Sequence, residues 1–201
     1  MESEVYVKSL EPDGVVEYHE SWLDSSQADA RMNELTEEIN WERRWVRLFG
    51  KRIVQPRLVC FQGDPGVKYT YSGDMHAAKG WHRAVSSIRD RLEHHCGVRF
   101  NSVLMNLYRD GNDSMGWHAD DERELGDNPF IASVSLGGIR RFVLRSVVDR
   151  GNKFEIKPAH GSLIVMRGAL QHHWQHQVPR TRRPVGPRIN LTFRRVLGTS
   201  E

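Results

Sequence analysis

The chain has 201 residues, with 29 Lys and Arg against 26 Asp and Glu and a formal charge of +3, a length that one domain can fill and a net charge that decides less than where the cations sit. Its two cysteines, Cys60 and Cys96, show no Cys-x-x-Cys spacing, which argues against a disulfide framework or a cysteine zinc site and for buried thiols in a reducing compartment. No run approaches the ~18 apolar residues of a membrane span, and MESEVYVKSLEPDG lacks a basic segment followed by an apolar one. A soluble cytoplasmic protein is expected, nuclear in a eukaryote, with no membrane partner.

Taken in order, residues 25–40 carry a helix signal, with Asp24, Ser25 and Ser26 as candidate N-caps and Ala28, Met32, Leu35 and Ile39 at helical spacing. A second helix fits residues 81–95, where Ala84, Val85, Ile88 and Leu92 form the apolar stripe. From Ser102 the pattern changes to short apolar or alternating runs: VLMNLY, FIASVSL, RFVLRSV, KFEIK, SLIVM, HHWQHQV and RINLTFRR, separated by Gly, Asp, Asn or Pro. Such a series predicts a mainly β fold with flanking α-helices, a sandwich or jelly roll.

His118 and Asp120 stand two apart, so on a strand or its extended continuation both point to one side and can offer a nitrogen and a carboxylate oxygen to one ion. A distant histidine would complete a two-His, one-carboxylate face with positions left for a bidentate co-substrate and dioxygen. A His-x-Asp pair alone is weak in a chain with 10 histidines. Downstream, His160, His172, His173 and His176 compete for the third place; alternation puts His172, Trp174 and His176 on one strand face, and spacing does not choose between His172 and His176.

The run from Arg188 to Arg194 alternates Arg188, Asn190, Thr192 and Arg194 on one face with Ile189, Leu191 and Phe193 on the other. Inward arginines stay charged and need carboxylates, which a dicarboxylate lying between them would supply. Asn106 and Tyr108 could add hydrogen bonds to the same anion. Set against this is an exposed edge strand with solvated arginines.

The ordered set Asn106-x-Tyr108-x-Asp110, His118-x-Asp120-Asp121-Glu122, Ile131-Ala-Ser-Val-Ser, Gly161-Ser162, the His176 segment and Arg188-x-Asn190-Leu-Thr-Phe-Arg194 closely resembles the AlkB family of iron(II) and 2-oxoglutarate-dependent dioxygenases. The match runs from about Val54 to Val196, and Tyr69-Thr-Tyr71-Ser72-Gly73 and Phe49-Gly50-Lys51 bring it nearest to the branch that repairs duplex DNA. The resemblance implies a double-stranded β-helix core over 101–197, a nucleotide-recognition lid over 46–100 and an N-terminal helical extension over 1–45. It implies that His118, Asp120 and His176 hold Fe(II), and that Asn106, Tyr108, Arg188, Asn190, Thr192 and Arg194 line the 2-oxoglutarate pocket. His118, Asp120, His176 and Arg194 are the catalytic set on this reading.

Tyr69, Tyr71, Ser72, Asp121 and Glu122 would then surround a flipped base. With dioxygen as oxidant, and ascorbate as an activator in vitro, the implied reaction hydroxylates the N-methyl group of 1-methyladenine or 3-methylcytosine, and the hemiaminal releases formaldehyde. In Arg43–Arg52, cations interleave with apolar residues around Phe49-Gly50-Lys51, a hairpin expected to lie on DNA with Phe49 as a wedge. Arg180-Thr-Arg182-Arg183 is a second candidate for phosphate contacts, with Arg182 and Arg183 at its centre. Alkylated duplex DNA is the expected partner of a monomer. Single-stranded DNA, RNA or protein as substrate, and a non-catalytic DNA-binding module, are the alternatives.

Overall fold

Strands that are apolar at every position must be buried on both faces, and the computed structural model gives them two different cores to face. It describes residues 5–48, 51–71 and 74–197, with side chains at 46–52 and 69–76 left outside the description. The elements in order are β1 (Val5–Leu10), β2 (Gly14–His19), α1 (Ser25–Glu38), β3 (Glu42–Leu48), β4 (Lys51–Gly63), β5 (Lys68–Tyr71), β6 (Asp74–Ala77) and α2 (Arg83–Cys96). Then come β7 (Ser102–Tyr108), β8 (Met115–His118), β9 (Ile131–Gly137), β10 (Phe142–Ser146), β11 (Lys153–Ile156), β12 (Ser162–Gly168), α3 (Leu170–His173), β13 (Trp174–Val178) and β14 (Arg188–Arg194).

An eight-stranded sheet in the order β1-β2-β12-β9-β14-β7-β4-β3 packs over a four-stranded sheet, β11-β10-β13-β8, and β5 and β6 form a separate hairpin. The two facing sheets are those of a jelly roll. Within the larger sheet, one face sends Val103, Met105, Val134, Leu136, Leu163, Ile189, Leu191 and Phe193 into a core shared with α1 and α2. The opposite face sends Leu104, Ile131, Ile164 and Met166 against Phe142, Leu144, Trp174 and Val178 of the smaller sheet. Polar residues of the inner face therefore end up enclosed between two sheets.

Helix α1 begins at Asp24, whose carboxylate accepts from Gln27 N at 2.8 Å while Gln27 returns a bond to the Asp24 N–H, a reciprocal cap. Helix α2 starts two residues later than its apolar pattern suggests, because the His82 ring accepts from Ala84 N and caps it. It stops at Gly97, where φ is +69°, a conformation suited to glycine.

Three expectations need correction. Residues 1–45 are not a helical extension: β1 and β2 form a hairpin around Pro12-Asp13-Gly14, and β2 pairs along its whole length with β12, adding two strands to the larger sheet. The stretch 46–100, expected as a lid, supplies a strand of that sheet, since β4 pairs with β7 from Leu58↔Leu107 to Gly63↔Ser102. The run HHWQHQV is not one strand: His172 and His173 close the helical turn α3, and extended backbone begins at Trp174.

Candidate active site

Antiparallel pairing of β8 with β13 sets His118 directly opposite His176. The two rings lie 4.1 Å apart, centroid to centroid. The Nδ1 of His118 lies 2.9 Å from the Gly116 carbonyl; a carbonyl only accepts, so Nδ1 carries the proton and Nε2 offers its lone pair. Asp120, fully buried just past the end of β8, brings Oδ1 to 3.9 Å from that Nε2. Ligand atoms of His118, Asp120 and His176 all lie within 4.8 Å of one another.

Burial, and then the neighbouring His118, push the His176 imidazole down to about 3. Burial lowers His118 as well, against the pull of Asp120. Asp120 goes the other way from what burial alone would do: Arg194, helped by both imidazoles, overcomes desolvation and holds its carboxyl at about 2. At neutral pH the set is two neutral imidazoles and one carboxylate. Oδ2 of that carboxylate is taken by Arg194 at 2.8 Å, whereas Oδ1 is buried with no hydrogen-bond partner. Two nitrogens and one unengaged anionic oxygen on one side of a cavity suit a divalent first-row ion.

The other histidines have different occupations. His160 Nδ1 accepts from Gly137 N at 2.7 Å. His172 points its Nε2 at the Asp127 carbonyl. With α3 turning His172 and His173 out of the strand, His176 is the downstream histidine that faces His118.

Along β14 the inner row forms a polar ladder. Arg188 Nη2 donates to Ser135 Oγ at 2.8 Å and to Asn190 Oδ1 at 2.6 Å, and Asn190 Nδ2 donates to Thr192 Oγ1 at 2.8 Å. Ser133 also donates to Asn190 Oδ1. Arg188, 1 % exposed, keeps Nε and Nη1 without partners, and its guanidinium sits 5.4 Å from the centre of the Tyr108 ring. Burial lowers it to about 10, which leaves it protonated at neutral pH.

The two inward arginines differ in their partners: Arg194 lines the cavity and is paired with Asp120, whereas Nε and Nη1 of Arg188 have no hydrogen-bond partner. Sequence reasoning gave no role to Ser133 and Ser135 of the Ile131-Ala-Ser-Val-Ser motif, and missed two residues, Arg57, whose Nε donates to Asn106 Oδ1 at 2.6 Å, and Gln171, which accepts from Asp120 N at 2.9 Å. Their signal is spatial; Arg57 and Gln171 reach across 49 and 51 residues of chain.

Asp121 is exposed and Glu122 half-buried just beyond Asp120. Arg182 and Arg183 are exposed on the loop after β13, where Arg180 and Arg183 join Arg141 and Lys157 around a groove of about 460 Å³. Phe49, Gly50 and Ser72 lie outside the described residues, and for Lys51, Tyr69 and Tyr71 only the backbone, in β4 and β5, is described.

Residues 15–194 match the model of the 2OG-Fe(II) oxygenase superfamily. The chain is 38% identical over 203 residues to alpha-ketoglutarate-dependent dioxygenase alkB homolog 3 of Homo sapiens, covering 96% of this chain and 70% of that protein. It is 39% identical over 186 residues to DNA oxidative demethylase ALKBH2 of Mus musculus, covering 88% and 78%. Among solved structures, OsALKBH1 shares the fold with a TM-score of 0.64 at 17% identity, over 94% of this chain and all of that one.

Proposed function

The chain belongs to the AlkB family within the 2OG-Fe(II) oxygenase superfamily, and from that premise we propose that it repairs DNA by oxidising N-linked alkyl groups off damaged bases. The observation that carries the reading is a pair of buried, unpartnered groups on elements of the two facing sheets: Asp120 Oδ1 beside two imidazoles, and Nε and Nη1 of Arg188 on β14. Unpaired buried polar and charged groups are costly, and a divalent cation with a dicarboxylate would satisfy both. When bound, iron(II) and 2-oxoglutarate turn dioxygen into an oxidant able to hydroxylate a C–H bond, with succinate and carbon dioxide as by-products.

The residues divide the remaining work. His118, Asp120 and His176 hold the ion. Arg188 pairs with the distal carboxylate under Tyr108, while Ser135, Asn190 and Thr192 fix the guanidinium in place. Arg57 occupies the Asn106 oxygen, which leaves the Asn106 NH₂ for the cavity. Arg194 keeps Asp120 ionised and occupies one of its oxygens. Hydroxylation of the methyl carbon on 1-methyladenine or 3-methylcytosine gives a hemiaminal, which releases formaldehyde and the restored base.

A base inside a duplex is out of reach, so it must flip out at a cost of a few kcal/mol, least for a lesion that pairs badly. Tyr69 or Tyr71 would stack on it, with Ser72 among the residues around it, and Asp121 and Glu122 would attract its positive charge. Phe49, followed in sequence by Gly50 and Lys51, would fill the gap left in a duplex. In the cationic groove beside the loop after β13, Arg141 is paired with Glu155 at 2.6 Å, which leaves Lys157, Arg180 and Arg183, with Arg182 beside them, to meet phosphates. The relative named as a DNA oxidative demethylase supports DNA as substrate, and a monomer suffices, since all these residues lie on one chain.

The test is succinate and formaldehyde release with Fe(II), 2-oxoglutarate and ascorbate, on oligonucleotides with and without 1-methyladenine, as duplex DNA, single-stranded DNA and RNA. Lesion-dependent release, largest on duplex DNA, is expected, and Phe49→Ala should lose more activity on duplex than on single strands. Release that ignores the lesion would move the substrate elsewhere.

A further inference from the structure

Asp120 lies two residues beyond β8, past the point where strand pairing supplies backbone partners, yet it is fully buried. Its N–H donates to Gln171 Oε1 at 2.9 Å. Gln171 is 3 % exposed and sits in α3, the turn that leads directly into the strand of His176. Its Nε2 faces Met166 Sδ at 3.8 Å. Reversing the amide would set its NH₂ against the Asp120 N–H, so the orientation is fixed by its neighbours.

We infer that Gln171 is a positioning residue that ties the segment bearing His118 and Asp120 to the segment bearing His176, and so sets the direction of Asp120 Oδ1. The inference rests on the metal reading of that triad. Asp120 is held at two points, the main chain by Gln171 and Oδ2 by Arg194. Arg194 alone cannot fix the direction, because a long side chain can follow the carboxylate wherever its backbone goes. Without an acceptor at Gln171 the buried N–H is left unsatisfied, and the 119–122 segment shifts to find water or another acceptor, turning Oδ1 away from the imidazole nitrogens. Loss of a partner one layer behind a metal ligand typically lowers metal affinity by about 10- to 100-fold.

The experiment measures Mn(II) binding by calorimetry, without co-substrate or DNA, on the full chain and on Gln171→Leu, Gln171→Asn and Gln171→Glu. Amide hydrogen exchange of the metal-free proteins is followed in parallel. Leu has no acceptor and Asn is too short to reach, so both should weaken Mn(II) by about tenfold or more and speed exchange at residues 119–122 while the two cores stay protected. Glu keeps an oxygen at the same reach and should restore both slow exchange and binding. Leu and Asn variants that bind Mn(II) within twofold of the parent, or Glu failing to rescue exchange, would overturn the inference. A general rise in exchange across both cores in Leu and Asn alike would also overturn it, by making Gln171 merely structural. A parent chain that binds no Mn(II) would instead sink the metal reading itself.

Discussion

A guanidinium buried without a carboxylate is a liability in the free protein and an asset only when an anion arrives. Arg188 is in that position, with two nitrogens unmatched and only hydroxyl and amide oxygens around the third. Arg188→Met, of similar length and no charge, should therefore leave the metal-free, ligand-free protein as stable as the parent or slightly more so. It should weaken 2-oxoglutarate by about 10- to 100-fold, the worth of one charge-assisted pairing. Thermal melting with and without 2-oxoglutarate checks both halves: at the same ligand concentration the variant should gain less stability than the parent. At this scale the inner row of β14 could be read from the sequence, because strict alternation with Ile189, Leu191 and Phe193 left its polar residues one side to occupy. The choice among histidines could not, since it depends on where α3 ends and extended chain begins. Gln171 and Arg57 were invisible, as ordinary polar residues whose partners lie some fifty positions away.

Elements of the larger sheet face two cores at once, and β14 shows the consequence. Phe193 projects into the helix-side core, 6.3 Å from the Trp81 ring and 6.1 Å from that of Phe100, while Thr192 and Arg194 on either side of it face the pocket. Phe193→Ala should cost about 3–5 kcal/mol by cavity formation, measured as a lower urea midpoint with an unchanged slope. A loss under about 1 kcal/mol would mean that the helices hold the sheet less than this packing implies. The loop after β13 is a simpler element, exposed and cationic. Arg182→Ala with Arg183→Ala should flatten the salt dependence of DNA binding by about one unit of slope per cation removed, and an unchanged slope would take the loop off the DNA. Most strands from β7 onward were legible because their apolar runs are bounded by turn residues; the four-residue β8 has no such run, and β13 is shorter than its pattern because α3 takes His172 and His173. The β1–β2 hairpin carried the same kind of signal, two β-rich runs around Pro12-Asp13-Gly14, and went unread because the helix behind it has the stronger period.

Taken whole, the molecule buries imidazoles in both of its cores, and this ties its stability to pH. His19, at the end of β2, is 6 % exposed; its Nε2 has no hydrogen-bond partner, and its ring meets that of His95 edge-on at 4.8 Å. Burial, and then His95, lower its pKa below the ordinary 6.5, and Glu17 only partly offsets them. Burial lowers His118 and His176 as well. Above about pH 6.5 these rings are neutral in both folded and unfolded chains and cost nothing. As pH falls through that value the unfolded chain takes up protons that the folded one refuses until lower pH, so stability declines with acidification over that interval. His19→Phe keeps an aromatic edge against His95 and removes one of the three titrations. Denaturant unfolding of the metal-free protein at about pH 7.5, 6.5 and 5.5, on either side of the ordinary imidazole value, should then show a smaller loss for the variant than for the parent, with the two differing only by a constant offset at the alkaline end. Parallel losses across the series would mean that His19 is protonated as readily inside the fold as outside it, and that its burial against His95 costs nothing.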